Sequence, residues 1–271
     1  MRRAWIAWLF AGCGFTAQPI PGSGGDPPDP APDPGGGSDS GSGSGTGSAA
    51  AYACDVTDPS LRLCLTFDHL PMVADLAVPP HALVEATGVR QILRLIADAG
   101  AALDSRTRIR FADAPDLDVS ELTVDAWIAP AAIPRRASYF VFDNDTQYFA
   151  SYEDDERVRC GIGSAIARSN VTFRQSWHHI ACRYDTALRQ LRIYVDGNVS
   201  GCTSVPTGIP STGTSGLAIG ANYGPGGFRD SFVGNLDGLH LYARALGDAE
   251  ICRAAGRTTC NATCPGGGGG G

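Results

Sequence analysis

The sequence predicts an all-β fold, a two-sheet antiparallel β-sandwich with a short C-terminal helix. Short segments in which apolar and polar residues alternate recur between residues 61 and 242, with turn residues about every ten positions. Residues 176–198 form the clearest hairpin signal. Leu191, Ile193 and Val195 alternate with Arg192, Tyr194 and Asp196, and Asp196-Gly197 supplies a turn.

The elements follow in order. Residues 61–68 (LRLCLTFD) alternate cleanly and open the domain. Residues 89–103 (VRQILRLIADAGAAL) read either as an amphipathic helix by propensity or as a short strand at 93–96, and the strand is preferred. Residues 106–111 alternate with Ile109 and Phe111 inward, and 121–128 follow a Pro/Asp-rich turn. Strands at 139–143, 147–152 and 157–162 are separated by Asn144-Asp145 and Asp154-Asp155. Residues 217–220 and 232–242 complete the set, and residues 248–255 read as the helix. Within 232–242, Phe232 and Leu236 share one phase while Leu239 and Leu241 share the other. The change falls on Asp237-Gly238, so both faces are covered or a β-bulge lies there.

The ends have a different character. Met1-Arg2-Arg3 followed by apolar residues 4–11 has the layout of an export signal and is too short to span a bilayer. Leu9-Phe-Ala-Gly-Cys13 resembles a bacterial lipobox, which implies a signal peptide at 1–12 and lipidation of Cys13. Cleavage near Ala17 and simple secretion is the alternative. Residues 13–51 are largely Gly, Ser, Pro and Asp, too poor in apolar surface to offset chain entropy, and read as a disordered tether with a reach of roughly 30 Å. Residues 52–256 suffice for one domain, and 257–271 form a Cys-containing, Gly-rich tail. The net charge is -7, every basic side chain is Arg, and no basic stripe with interleaved aromatics occurs, which argues against a nucleic-acid partner.

Of the nine cysteines, Cys13 is assigned to the anchor. Cys54, Cys64, Cys160, Cys182, Cys202, Cys252, Cys260 and Cys264 remain, an even set that reads as disulfides in an exported chain. One pairing follows from phase. Cys160 alternates inward with Val158 and Ile162, Cys182 with Ile180 and Tyr184, and neighbouring antiparallel strands would bring them within disulfide range. Zinc is the competing reading for Cys260-Asn-Ala-Thr-Cys264, without a second close pair or a His to follow it.

Four stretches in this order, Leu65-Thr-Phe-Asp68, residues 116–128, residues 176–198 and residues 234–251, resemble the laminin-G-like, concanavalin A-like jelly-roll domains. The resemblance spans about residues 61–251. It implies a non-catalytic binding module for a carbohydrate or protein ligand, and the lipobox would hold it at the bacterial envelope. It also implies a structural calcium at Asp68, Asp75 and Asp237, although His69 replaces the usual Gly and Leu-Ala-Val-Pro-Pro replaces the usual loop after Asp75. Under the resemblance Trp127 and Trp177 are core or near-core residues, and Tyr139, Tyr148, Tyr152, Tyr223 and Phe228 are the aromatic candidates for a ligand face.

The remaining motifs add little chemistry. His178 and His179 are neighbours on a strand and face opposite ways, so they cannot share one ligand shell. The loop Gly224-Pro-Gly-Gly227 is followed by no helix start and is no phosphate cradle. A glycoside hydrolase on the same sandwich is the enzymatic alternative and needs two carboxylates flanking the scissile bond. Glu85, Glu121, Glu153, Glu156 and Glu250 are the only glutamates, and none stands two to four residues from a second acid on one strand face in the required pattern. A purely structural envelope protein is the third reading. The expected location is the outer membrane or cell surface, or the medium if the chain is secreted.

Overall fold

The computed structural model describes residues 54–265, apart from 70–71, 96–97, 136–137, 146 and 211–212. The expected signal peptide, Cys13 and all of the tether lie outside the described residues, as do the last six residues of the tail. Strand β1 (Leu61–Leu65) is followed by β2 (Leu83–Thr87), β3 (Arg90–Leu95), β4 (Asp98–Leu103) and β5 (Arg108–Phe111). The middle of the chain forms β6 (Leu122–Pro130), β7 (Ser138–Asn144), β8 (Tyr148–Glu153), β9 (Val158–Ile162) and β10 (Ala165–Arg168). Then come β11 (His178–Asp185), β12 (Gln190–Val195), β13 (Asn198–Ser204) and β14 (Ala218–Ile219). A small hairpin, β15 (Asn222–Gly224) and β16 (Gly227–Arg229), precedes β17 (Gly234–Tyr242) and helix α1 (Asp248–Ala254).

Two antiparallel sheets make the sandwich. One runs β13-β12-β11-β6-β17-β4-β3, with β1 paired to the C-terminal half of β17, and has eight strands. The other runs β10-β9-β8-β7-β14-β5-β2 and has seven. Alternation decides the inner faces. Ile109 and Phe111, Tyr148 and Tyr152, Val158 and Cys160, Ile180 and Cys182, and Leu191 and Ile193 all point into one buried core. Each fully buried Leu, Ile or Phe side chain contributes about 1.5–3 kcal/mol.

The 89–103 segment is neither a helix nor one short strand but the β3–β4 hairpin at the end of the eight-stranded sheet. Ala99, Ala101 and Leu103 alternate inward, and Gly100 lets β4 come close to β17: a Cβ there would lie 3.1 Å from the Leu236 carbonyl oxygen. Sheet pairing therefore overrides the helical propensity of this Ala- and Leu-rich run. In β17 the register against β6 shifts between Asp237 and His240, and Gly238 takes φ 54°. This bulge produces the phase change seen in the sequence.

Cys160 and Cys182 are bonded, with Cα atoms 5.8 Å apart, but their strands are not neighbours. β9 belongs to the seven-stranded sheet and β11 to the eight-stranded sheet, so the bond crosses the core. The sheets converge there because edge strands β10 and β13 meet. A Cβ on Gly201 would overlap the Arg168 carbonyl.

The other three disulfides are Cys54–Cys64, Cys202–Cys264 and Cys252–Cys260. The last two bind residues 257–265 to the domain, where the Val199 amide donates to the Asn261 carbonyl at 2.8 Å. Helix α1 starts at Gly247, whose amide donates to Glu250 Oε2 at 2.6 Å. It buries Ile251 near Tyr194, Val199 and Leu246 on the outer face of the eight-stranded sheet. Among the described residues, no helix is long and apolar enough to cross a membrane.

Candidate functional site

The outer face of the seven-stranded sheet is built by residues out of phase with the core. On β5 these are Arg108 and Arg110, on β8 Phe149, Ser151 and Glu153, and on β9 Arg159 and Gly161. A register shift between Phe140 and Phe142 puts both Phe140 and Asp143 of β7 on this side. A cavity of about 430 Å³ opens here, lined by Phe140, Asp143, Asp145, Phe149, Ser164 and Asn222 among others.

Aromatic rings form one part of the wall. Phe140 and Phe149 lie 5.3 Å apart between centroids, and the Arg159 guanidinium sits 5.2 Å from the Phe149 ring. Phe149 lies over Gly161, where any Cβ would overlap its ring. The β15–β16 hairpin adds Tyr223 and Phe228, packed edge to face at 4.8 Å. Each is held by an arginine of β5: Arg110 at 4.5 Å from Tyr223 and Arg108 at 5.1 Å from Phe228. Nε of Arg110 is buried and has no hydrogen-bond acceptor among the described residues, so the Tyr223 ring is its counterpart.

Polar groups form the rest. Asp143 is 2% exposed, and its Oδ2 accepts the Tyr223 amide at 3.3 Å. Burial pushes its carboxyl up to about 7, with Asp145 adding to the rise and the Tyr223 amide and Arg229 opposing it. Asp145 is held by the Ser215 hydroxyl at 3.1 Å, and Asn222 Oδ1 accepts from Arg229 at 3.0 Å. The cavity thus combines apolar ring surface with two Asp carboxyl groups and an amide. A polyhydroxylated ligand can place its C–H face on the rings and its hydroxyls on these groups.

The structure sorts the aromatic candidates. Tyr223 and Phe228 come together on this face. Tyr148 and Tyr152 do not reach it. Both are core residues, 1% and 0% exposed, whose hydroxyls donate to the carbonyls of Leu117 at 3.1 Å and Phe173 at 2.8 Å. Tyr139 packs partly buried against the core. Phe140, Phe149 and Asp143 were missed by the sequence reading. Phe149 stands out of phase with Tyr148, Ala150 and Tyr152, and that alternation was the available signal.

The residues proposed for calcium do not fit a calcium ion. Asp75 Oδ1 accepts the amides of Cys64 and Ala77 at 3.0 and 2.9 Å, and its Oδ2 accepts the His81 amide and Nδ1, both at 2.8 Å. Asp237 is paired with Arg94 Nε at 2.5 Å, and Asp68 is exposed and accepts the Ala99 amide at 3.3 Å. Among the described residues, no three His, Cys, Asp or Glu side chains gather to hold a metal. This also leaves Cys260 and Cys264 in separate disulfides, not in a zinc site.

Trp127 and Trp177 are half-buried outside the hydrophobic core. They flank the Arg94 guanidinium at 5.1 and 5.8 Å on the outer face of the eight-stranded sheet. His179 is buried edge-on to Trp127, and burial pushes its imidazole below the usual range; His178 turns the other way, toward Asp196.

Comparison with known proteins agrees with this architecture. The model of the concanavalin A-like lectin/glucanases superfamily matches residues 103–252, more than half of the 271-residue chain. A search of curated proteins returned no match. Among solved structures, the binding domain of Paraclostridial Mosquitocidal Protein 1 is similar at TM-score 0.58 and 18% identity, over 72% of this chain and 52% of that one. Domain 4 of AbnA, an extracellular GH43 arabinanase from Geobacillus stearothermophilus solved with arabinotriose, is similar at 0.56 and 17%, over 72% and 98%. The binding domain of botulinum neurotoxin DC, solved with SialylT, is similar at 0.56 and 11%, over 73% and 51%. The chain thus spans about half the length of the two toxin binding domains. At these identities the likeness shows the fold alone. With its two-sheet jelly roll and a family match over more than half its length, the chain belongs to the concanavalin A-like lectin/glucanases superfamily.

Proposed function

We propose that this domain is a surface binding module whose ligand is a carbohydrate seated on the outer face of the seven-stranded sheet. The observation that carries the reading is the cavity where Phe140 and Phe149 meet Asp143. Among the described residues the Asp143 carboxyl accepts one long hydrogen bond, from a backbone amide, and a sugar hydroxyl would complete its shell. Structural neighbours solved with arabinotriose and SialylT support a glycan ligand, and one solved with synaptotagmin keeps a protein ligand as the alternative. Four disulfides support an exported chain. The leader and Cys13 support a lipid anchor that holds the domain at the envelope. Loss of lipid labelling in Cys13→Ser tests the anchor. A glycan array with wild type and Phe149→Ala tests the ligand: glycan signals that vanish in the variant support the reading, and capture of an envelope protein with no glycan signal overturns it.

A second reading, glycoside hydrolysis, is favoured by one observation. Asp143 and Asp145 line the same cavity, and burial together with the neighbouring Asp145 pushes the Asp143 carboxyl up to about 7, which suits a general acid. Release of reducing ends from a bound oligosaccharide, lost in Asp143→Asn, would select it.

A further inference from the structure

A second cluster stands at the rim of the sandwich, where β11 begins and the β12–β13 turn folds back. Ser176 Oγ lies 2.8 Å from His178 Nε2, and His178 Nδ1 lies 2.9 Å from Asp196 Oδ2. The other Asp196 oxygen accepts the His179 amide at 3.1 Å. Burial raises the Asp196 carboxyl, but the His178 hydrogen bond, the His179 amide and the nearby Arg257 outweigh it and hold it below its usual range. An ionised Asp196 accepts a hydrogen bond from Nδ1–H, and in that tautomer Nε2 is the acceptor toward Ser176. The Phe173 ring, 4.3 Å from the imidazole centroid to centroid, fixes its plane. Ser176 itself is exposed. Its one hydroxyl proton has two acceptors, Nε2 at 2.8 Å and the Arg174 carbonyl at 3.1 Å, and the shorter contact is to the imidazole.

The backbone completes the arrangement. Gln175 is held at φ 51°, with its amide donating to the Pro130 carbonyl at 3.0 Å, so the chain turns sharply just before the serine. The Ser176 and Trp177 amides donate no hydrogen bond among the described residues. In serine hydrolases a backbone amide at or just after the nucleophile is one of the donors that stabilise an oxyanion. A cavity of about 400 Å³ adjoins His178 and Asp196, walled by Phe173, Asn170, Asn198 and Ser200.

We propose that Ser176, His178 and Asp196 form a nucleophilic serine centre that cleaves carboxylic esters, apart from the ligand-binding face. Ser176 Oγ attacks the ester carbonyl carbon while its proton passes to His178 Nε2. The tetrahedral oxyanion is placed at the two free amides. Collapse breaks the ester C–O bond, and His178 returns the proton to the departing alkoxide. Water, deprotonated by His178, then attacks the acyl-serine and releases the carboxylic acid with Ser176 restored. Asp196 is a positioning residue that holds the imidazole tautomer.

The test uses the purified full chain with a fluorophosphonate probe and p-nitrophenyl acetate. The expected result is a covalent adduct on the Ser176 peptide, absent in Ser176→Ala, whose loop-borne exposed side chain can be removed without altering the circular dichroism spectrum. His178→Ala slows labelling by roughly 100-fold or more, and added imidazole restores part of it. Asp196→Asn shifts the pH dependence of labelling. No adduct at Ser176, or equal rates in wild type and His178→Ala, overturns the proposal. Ligand binding on the seven-stranded sheet stays intact in Ser176→Ala, so the two proposals fail separately.

Discussion

Replacing Asp143 by Asn should stabilise the domain at high pH and leave it unchanged at low pH. Asn copies the protonated carboxyl in shape, so the variant isolates the cost of ionisation. In the folded chain the carboxyl is raised from 3.8 to about 7 because it is buried, 2% exposed, and the Tyr223 amide at 3.3 Å offsets the burial only in part. Between those values the folded state binds a proton that the unfolded state has released. Stability therefore falls as pH rises from about 4 to about 7 and levels off above it. At about 1.36 kcal/mol per pKa unit, the penalty at pH 8 is about 4 kcal/mol. Urea unfolding of both proteins at pH 4, 6 and 8 measures it. The curves should coincide at pH 4 and separate progressively, with Asp143→Asn the more stable at pH 8. A gap that is the same at pH 4 and pH 8 would refute a buried, protonated Asp143.

Other consequences are independent of that cavity. Removing the cross-sheet bond with Cys160→Ser and Cys182→Ser should lower unfolding free energy by about 3 kcal/mol, because the bond closes a loop with a sequence separation of 22; no loss in chemical denaturation would contradict its role. Tyr148→Phe removes a buried hydroxyl bonded to the Leu117 carbonyl and should cost about 1 kcal/mol while leaving ligand affinity unchanged; a lost affinity would return Tyr148 to the ligand face. His81 is raised above its ordinary range, first by its hydrogen bond to Asp75 and against the pull of burial. Its contribution is present below the ordinary histidine pKa and fades as pH rises through the folded value. His81→Gln should accordingly cost more stability at pH 5.5 than at pH 8.5, as thermal melts will show.

Local periodicity made much of the fold readable. Val158, Cys160 and Ile162, and Ile180, Cys182 and Tyr184, declare an inward face on their own. Which sheet each strand joins is decided by pairings far along the chain. The cysteines were therefore read correctly as inward and wrongly as neighbours. Which aromatic rings reach the sheet's outer face was hidden for a related reason. Tyrosines 148 and 152 attract attention by their hydroxyls, yet their phase with Ala150 buries them, while the less conspicuous Phe149 faces outward. Asp143 gains its unusual protonation from burial, because β7 shifts register and a hairpin eighty residues later packs against it, with the Tyr223 amide opposing the rise. Nothing within the 138–144 segment encodes that. The Ser176–His178–Asp196 relay likewise needs the β12–β13 turn to fold back on the start of β11, a contact that no spacing within residues 176–179 could reveal.

The most direct test is a map of amide chemical shifts during titration with the tightest-binding oligosaccharide from the array. Saturable shifts are expected, clustered at Phe149, Ser164, Asn222 and Tyr223 on the outer face of the seven-stranded sheet. Shifts clustered instead at Trp127, Trp177 and Tyr194 on the opposite sheet would contradict that placement.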